Sequence, residues 1–218
     1  MFAGHYTHWR TTRMNAVDKY IADDFWTNKT LLELGGGYAE NGHLFALKGC
    51  KVTSSDVRDE HIAVAKARYP DMNVIKFDCD RDTITDHYDV ILHWGVLYHI
   101  DNVESHLRNV CEMSDYILLE TEVCSGNESV AIKVHEEGYD QAYHSVGTRP
   151  SPAYIEEQLT KNGFNFKIII DPILDSSFHK YSWNASECNG GAPKPLFGYR
   201  RYWICWKADN PSPLKTDV

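Results

Sequence analysis

Short apolar runs recur from residue 30 to residue 121, and each is followed by a stretch with helical spacing. Runs at Thr30 to Leu34, Cys50 to Asp56, Asn73 to Phe77, Tyr88 to Trp94 and Asp115 to Thr121 read as strands. Between them Glu40 to Lys48, Glu60 to Pro70 and Val103 to Met113 read as helices, the first stopped by Gly49. This alternation predicts an α/β fold of the Rossmann-like kind: an open, mostly parallel sheet with helices on both faces. A helix at Asn15 to Trp26 leads in. A helix at Pro152 to Asn162 and strands at Phe164 to Ile170 and Tyr199 to Trp206 bring the sheet to about seven strands, the last antiparallel. With 218 residues the chain has room for one such domain, placed at 1–208, followed by a loose tail at 209–218. Two long irregular insertions, 122–149 and 171–198, are expected to roof a substrate pocket.

The first strand runs into "LELGGGYAENG", a carboxylate followed by three glycines. A glycine turn after a strand suits a dinucleotide, a nucleotide phosphate or an adenosyl cofactor. A phosphate loop needs Lys and Ser or Thr after the glycines, and here Tyr38, Ala39 and Glu40 follow. A dinucleotide turn counted from Gly35 needs a third glycine where Glu40 stands, and that carboxylate would repel a pyrophosphate. What remains is E-x-G-x-G, built from Glu33, Gly35, Gly36 and Gly37, which suits a ligand bearing an amino-acid end and a sulfonium.

Asp56 closes the second strand about 20 residues after the glycines, where a carboxylate accepts from both hydroxyls of a ribose. Its other reading is a helix cap in "SSDVRDE". In "KFDCD", Asp78 can accept from an adenine amine beside the backbone N–H of Cys79, with Asp80 a rival or either a plain turn residue. His93 and Trp94 end the fourth strand at the carboxyl edge, where open α/β sheets bind ligands.

These stretches, with "YDVILHWGVLYHI", resemble the successive motifs of class I S-adenosylmethionine-dependent methyltransferases over roughly residues 28 to 121. The resemblance implies S-adenosylmethionine as cofactor. Glu33, Gly35, Gly36 and Gly37 then serve its methionine side, Asp56 with Val57 the ribose, and Asp78 with Cys79 the adenine. A narrower likeness links "GVLYHIDNVESHLRNV", "ILLETEV" and "RPSPAYIEEQLTKNGF" to the tRNA wobble-uridine carboxymethyltransferases. It implies carboxy-S-adenosylmethionine as the alternative cofactor and tRNA as the alternative substrate. In that family the positions of Tyr98 and of Arg200 or Arg201 hold the added carboxylate together with an N-terminal lysine. Here that segment offers Arg10 and Arg13 instead.

His99 is the first candidate for a general base, with Tyr98 beside it and Glu120 at the end of the fifth strand. His99 can equally fix its own turn through a backbone bond. Tyr139, Asp140, Gln141 and Arg149 of the first insertion, His179 and Trp183 of the second, and Arg201 of the last strand are the candidate substrate contacts. The net charge of −9 favours a small polar substrate over nucleic acid. Eleven histidines and six cysteines form no HExxH or CxxC pattern, so no metal site is expected. The opening "MFAGHYTHWR" has no signal-peptide character, and the cysteines read as free thiols in a cytoplasm. The favoured reading is methyl transfer to a hydroxyl or amine of a small acceptor. An RNA-modifying transferase and a non-catalytic adenosylmethionine-binding protein are the alternatives.

Overall fold

The apolar runs pair side by side as one seven-stranded sheet. Its members are β1 (Thr30–Glu33), β2 (Lys51–Asp56), β3 (Asn73–Lys76), β4 (Tyr88–Trp94), β5 (Ser114–Val123), β8 (Phe164–Ile168) and β9 (Tyr199–Lys207). The order is β3-β2-β1-β4-β5-β9-β8, parallel except for β9, which runs against both its neighbours. These coordinates are a computed structural model, which describes residues 4–216 apart from 125, 127, 140, 177–178 and 184–198.

Central β4 shows why the sheet is parallel and covered. Val90, Ile91 and Leu92 are all fully buried, which requires helices on both faces. On one face lie α4 (Val103–Glu112) and α5 (Pro152–Lys161), which bury Val103, Leu107, Val110, Ile155 and Leu159. The apolar positions of α4 recur at helical spacing, and Asn102 caps the helix by accepting from the Ser105 N–H at 3.3 Å. Ser151 caps α5 in the same way, with Pro152 in the first turn. On the other face α1 (Gly4–Tyr20) and α2 (Glu40–Leu47) pack Val17 and Phe45, with Trp26 from the segment between α1 and β1, against Leu31 and Leu92. α3 (Asp59–Arg68) covers the edge at β2 and β3.

Three expectations are corrected. The leading helix spans Gly4–Tyr20, not Asn15 to Trp26, and Asp23–Trp26 forms a separate 3-10 turn. The buried stripe of α1 includes Trp9, Thr12, Arg13, Ala16 and Val17, and its polar members hide the period from a hydrophobicity reading. The helix stops because Ile21 pairs with Leu214. The same pairing ties down the tail, with the Lys215 N–H donating to the Tyr20 carbonyl at 2.9 Å. The insertion 122–149 is not irregular: β6 (Ala131–His135) and β7 (Val146–Pro150) form an antiparallel hairpin. In "AIKVH" the exposure alternates with period two, as a two-stranded ribbon requires.

At the junction of α1, β5 and β9, Glu120 is fully buried. It accepts from Arg200 Nε at 2.5 Å and from the Tyr181 hydroxyl at 2.9 Å, and Arg13 Nη1 lies 3.4 Å away. Burial opposes its charge, but Arg200 and Arg13 outweigh burial and hold the carboxyl below its ordinary range. Replacing Glu120 by Gln strands two buried guanidinium groups. Urea unfolding of Glu120→Gln is expected to show a loss of about 3–5 kcal/mol; a loss under about 1 kcal/mol would contradict the cluster's structural role.

Candidate active site

β1 ends in Glu33, and the chain then turns sharply over the carboxyl edge of the sheet. Gly35 and Gly37 both have φ of +58°, which only glycine adopts without strain. A Cβ at Gly36 would lie 2.6 Å from Glu33 Oε2. Glu33 therefore sits directly beneath the turn, bonded by the Ser54 hydroxyl at 2.5 Å. Burial pushes its carboxyl up to about 7, against bonds from Ser54 and the Gly42 N–H. Glu33 supports the turn from below and does not line the cleft above it.

Asp56 fastens this turn to β2. One carboxylate oxygen accepts from the Gly37 N–H at 2.9 Å, the other from the Arg58 N–H at 2.9 Å, and His61 Nδ1 lies 3.2 Å off. Burial disfavours the charge, yet the bonds from His61, Arg58 and Gly37 leave the carboxyl lowered. Asp56 also lines a cleft of about 1190 Å³, open solvent at the mouth included. Gly35 to Gly37, Asp56, Val57, Asp78, Cys79 and Trp94 line one wall. Trp9, Arg10 and Arg13 of α1, Tyr98, His99, Gln141 and Tyr143 line the cleft as well.

A sequence model of a methyltransferase domain matches residues 6–167. The chain belongs to the methyltransferase-domain family. Among curated proteins none matches it by sequence. Solved structures share its fold. The N-terminal domain of EvdMO1, crystallised in the presence of SAH and D-fucose, superposes with a TM-score of 0.65 at 16% identity, over 94% of this chain and 84% of that one. A putative S-adenosylmethionine-dependent methyltransferase from Listeria monocytogenes gives 0.61 at 16%, over 90% and 98%. The magnesium protoporphyrin IX methyltransferase of Synechocystis PCC 6803, with bound SAM, gives 0.56 at 12%, over 93% and 79%.

Within this methyltransferase the expected residues divide. Asp78 Oδ2 is taken by His144 Nε2 at 2.7 Å, and its other oxygen accepts from the Asp80 N–H at 3.0 Å. Asp80 accepts in turn from the Asp101 N–H at 2.7 Å. Gln141 reaches the cleft, whereas Tyr139 is an exposed residue whose hydroxyl bonds Glu60 at 2.8 Å. Asp140 lies outside the described residues. Arg149 bonds Glu122 and the Tyr98 carbonyl, both at 2.7 Å, and so holds the Tyr98 turn from behind.

Residues 177–178 and 184–198 of the second insertion lie outside the described residues, and its described part contributes core. His179 packs on Trp9 at 4.2 Å between ring centres, and Trp183 is buried with its indole N–H on the Arg200 carbonyl at 2.9 Å. Arg201 spends its guanidinium on the carbonyls of Tyr181 and Trp183, at 2.5 and 2.6 Å, and does not line the cleft. Successive strand residues face opposite ways, so Arg200 is the one that turns toward Glu120 and Tyr98. Trp9, Arg58 and His61 were not among the expected contacts. Trp9 and Arg13 stand four apart on one helical face, a signal obscured by the histidines and threonines around them.

His93 is fully buried and faces away from the cleft, its Nε2 2.8 Å from His106 Nε2. The Cys79 carbonyl, 3.1 Å from His106 Nδ1, can only accept. His106 therefore carries a proton on Nδ1, and with its ring neutral its Nε2 accepts from the Nε2–H of His93; the contact excludes both rings being charged at once. Burial pushes His106 down to about 4 and His93 well below its ordinary value. A depressed histidine contributes stability that is complete above the unfolded value of about 6.5 and is lost as pH falls through the folded value. For His106 this amounts to about 3 kcal/mol between pH about 6.5 and about 4. Denaturant titrations at stepped pH should show a shallower acid loss in His106→Asn; an unchanged slope would show that these rings are not neutral in the native state.

Proposed function

We propose that this methyltransferase moves a methyl group from S-adenosylmethionine to a hydroxyl of a small polar acceptor. The observation that carries the reading is Asp56, a buried carboxylate held below its ordinary range that anchors the glycine turn and lines the cleft. The residues present fit the cofactor. Asp56 would hold the ribose hydroxyls, and Asp78 with the Cys79 backbone would meet the adenine. The glycine turn leaves room for the amino-acid end. Arg10 and Arg13 line the cleft as cations for its carboxylate, and the Nε of Arg13 is buried with no hydrogen-bond partner among the described residues. Those two cations equally suit the added carboxylate of the carboxylated cofactor.

When bound, adenosylmethionine supplies an electrophilic methyl carbon on a cationic sulfur. The chain's part is to align the acceptor, exclude water and take the proton that a hydroxyl releases on methylation. Trp9 and Tyr98 provide apolar walls, and His99, which lines the same cleft, is the candidate proton acceptor. Trp94 closes the floor, itself packed on Tyr202 at 5.8 Å between ring centres.

S-adenosylhomocysteine is the direct probe. At 100 times its Kd it is expected to add about 2.7 kcal/mol of stability, read as a rise of about 5–10 °C in the melting temperature. Asp56→Ala should weaken its binding in calorimetry by about 2 kcal/mol. No thermal shift, with a large shift from NAD instead, would overturn the cofactor assignment.

A further inference from the structure

The inserted hairpin touches the cleft lining at more than one point, and what it does at His99 goes beyond covering the site. At the adenosine end Arg58 Nη2 donates to the carbonyls of Tyr139 and Gln141, both at 2.8 Å, and His144 bonds Asp78. The same hairpin supplies Glu136, which is 5% exposed. Its Oε2 lies 2.6 Å from His99 Nδ1 and accepts from the Ala142 N–H at 2.7 Å, while Oε1 pairs with Arg149 Nη1 at 2.6 Å. Gly147 of β7 makes this approach feasible, since a Cβ there would lie 2.8 Å from Glu136 Oε1.

We propose that Glu136 is the positioning residue of a His99–Glu136 dyad, and that the hairpin, by supplying Glu136, completes the general base. The inference rests on the methyltransferase reading above. An ionised carboxylate at Nδ1 can only accept, so it fixes the tautomer in which Nδ1 bears hydrogen and Nε2 keeps the lone pair. The Nε2 lone pair is what a base needs, and His99 lines the cleft. The acceptor class follows: a neutral nucleophile that must lose a proton, such as a hydroxyl. Its oxygen forms the new bond to carbon, its proton passes to Nε2, and the imidazolium charge is then balanced by Glu136. The carboxylate is suited to this, because bonds from His99 and Arg149 outweigh the burial that opposes its charge and hold its carboxyl at about 2.

The two halves of the hairpin are coupled by Arg149. Its Nη1 binds both Glu136 and the Tyr98 carbonyl, so the turn bearing His99 and the hairpin bearing Glu136 share one guanidinium. A loosened hairpin leaves His99 without the group that sets its tautomer.

Nitrogen-15 NMR of histidine-labelled protein tests this, free and with S-adenosylhomocysteine. In the wild type with the ligand bound, His99 is expected in the Nδ1–H tautomer in about tenfold excess. Glu136→Ala should reverse the preference to Nε2–H, and Glu136→Asp, which keeps a carboxylate, should restore much of it. A purely structural role for Glu136 would move stability and not the tautomer. The same tautomer in wild type and Glu136→Ala would overturn the dyad. Calorimetry with S-adenosylhomocysteine on the same samples separates the two readings, since absent binding with a carboxylate-dependent tautomer would fault the cofactor assignment alone. Should Glu136→Ala fail to fold, Glu136→Met, which fills the same space without an acceptor, reads the same tautomer, and an excess of Nδ1–H as large as in the wild type would again overturn it.

Discussion

A single buried carboxylate, Glu120, organises the acceptor side of this molecule. Two arginines from opposite ends of the chain, Arg13 and Arg200, converge on it, and neither could be buried without it. The pattern continues outward with alternating sign. Arg200 reaches Glu122 at 3.8 Å, Glu122 pairs with Arg149 at 2.7 Å, Arg149 with Glu136 at 2.6 Å, and Glu136 with His99 at 2.6 Å. One connected run of charges thus joins the N-terminal helix, the last strand, the end of β5, the hairpin and the proposed base. Each member is oriented by its neighbours, which suits a site where small displacements of a proton acceptor are expensive in rate.

On the cofactor side Asp56 has the corresponding role. It does not wait for a ligand to be ordered: the Gly37 and Arg58 N–H groups and His61 already hold it. Preorganisation of this kind reduces the ordering cost of binding. It also explains why Glu33, the first residue of the glycine motif, lies below the turn. Glu33 shapes the loop while Asp56 faces the cleft.

The parallel sheet, its order of elements and the methyltransferase family were legible because buried parallel strands must be apolar along their whole length. The runs "LLEL" and "VILHW" could hardly serve another purpose. The glycines and Asp56 were legible because backbone turns and strand ends constrain residue type locally. The acceptor side was not, since its residues act across long separations. Glu120 meets Arg200 80 residues away, and Glu136 meets His99 across 37. No local pattern marks such pairs. Glu120 was read as a candidate catalyst from its place at a strand end, and the structure puts it in full burial between two cations. The choice between Arg200 and Arg201 turned on strand register alone, and the hairpin was concealed by the Gly and Pro of "VGTRP".

The central claim is that this cleft takes adenosylmethionine with Asp56 on its ribose and His99 at the acceptor end. A crystal structure of the complex with S-adenosylhomocysteine tests it most directly. The account predicts both ribose hydroxyls within about 3 Å of the Asp56 carboxylate, the amino-acid end over the glycine turn, and Glu136 on His99. A ligand bound elsewhere, or one whose ribose leaves Asp56 untouched, would contradict it.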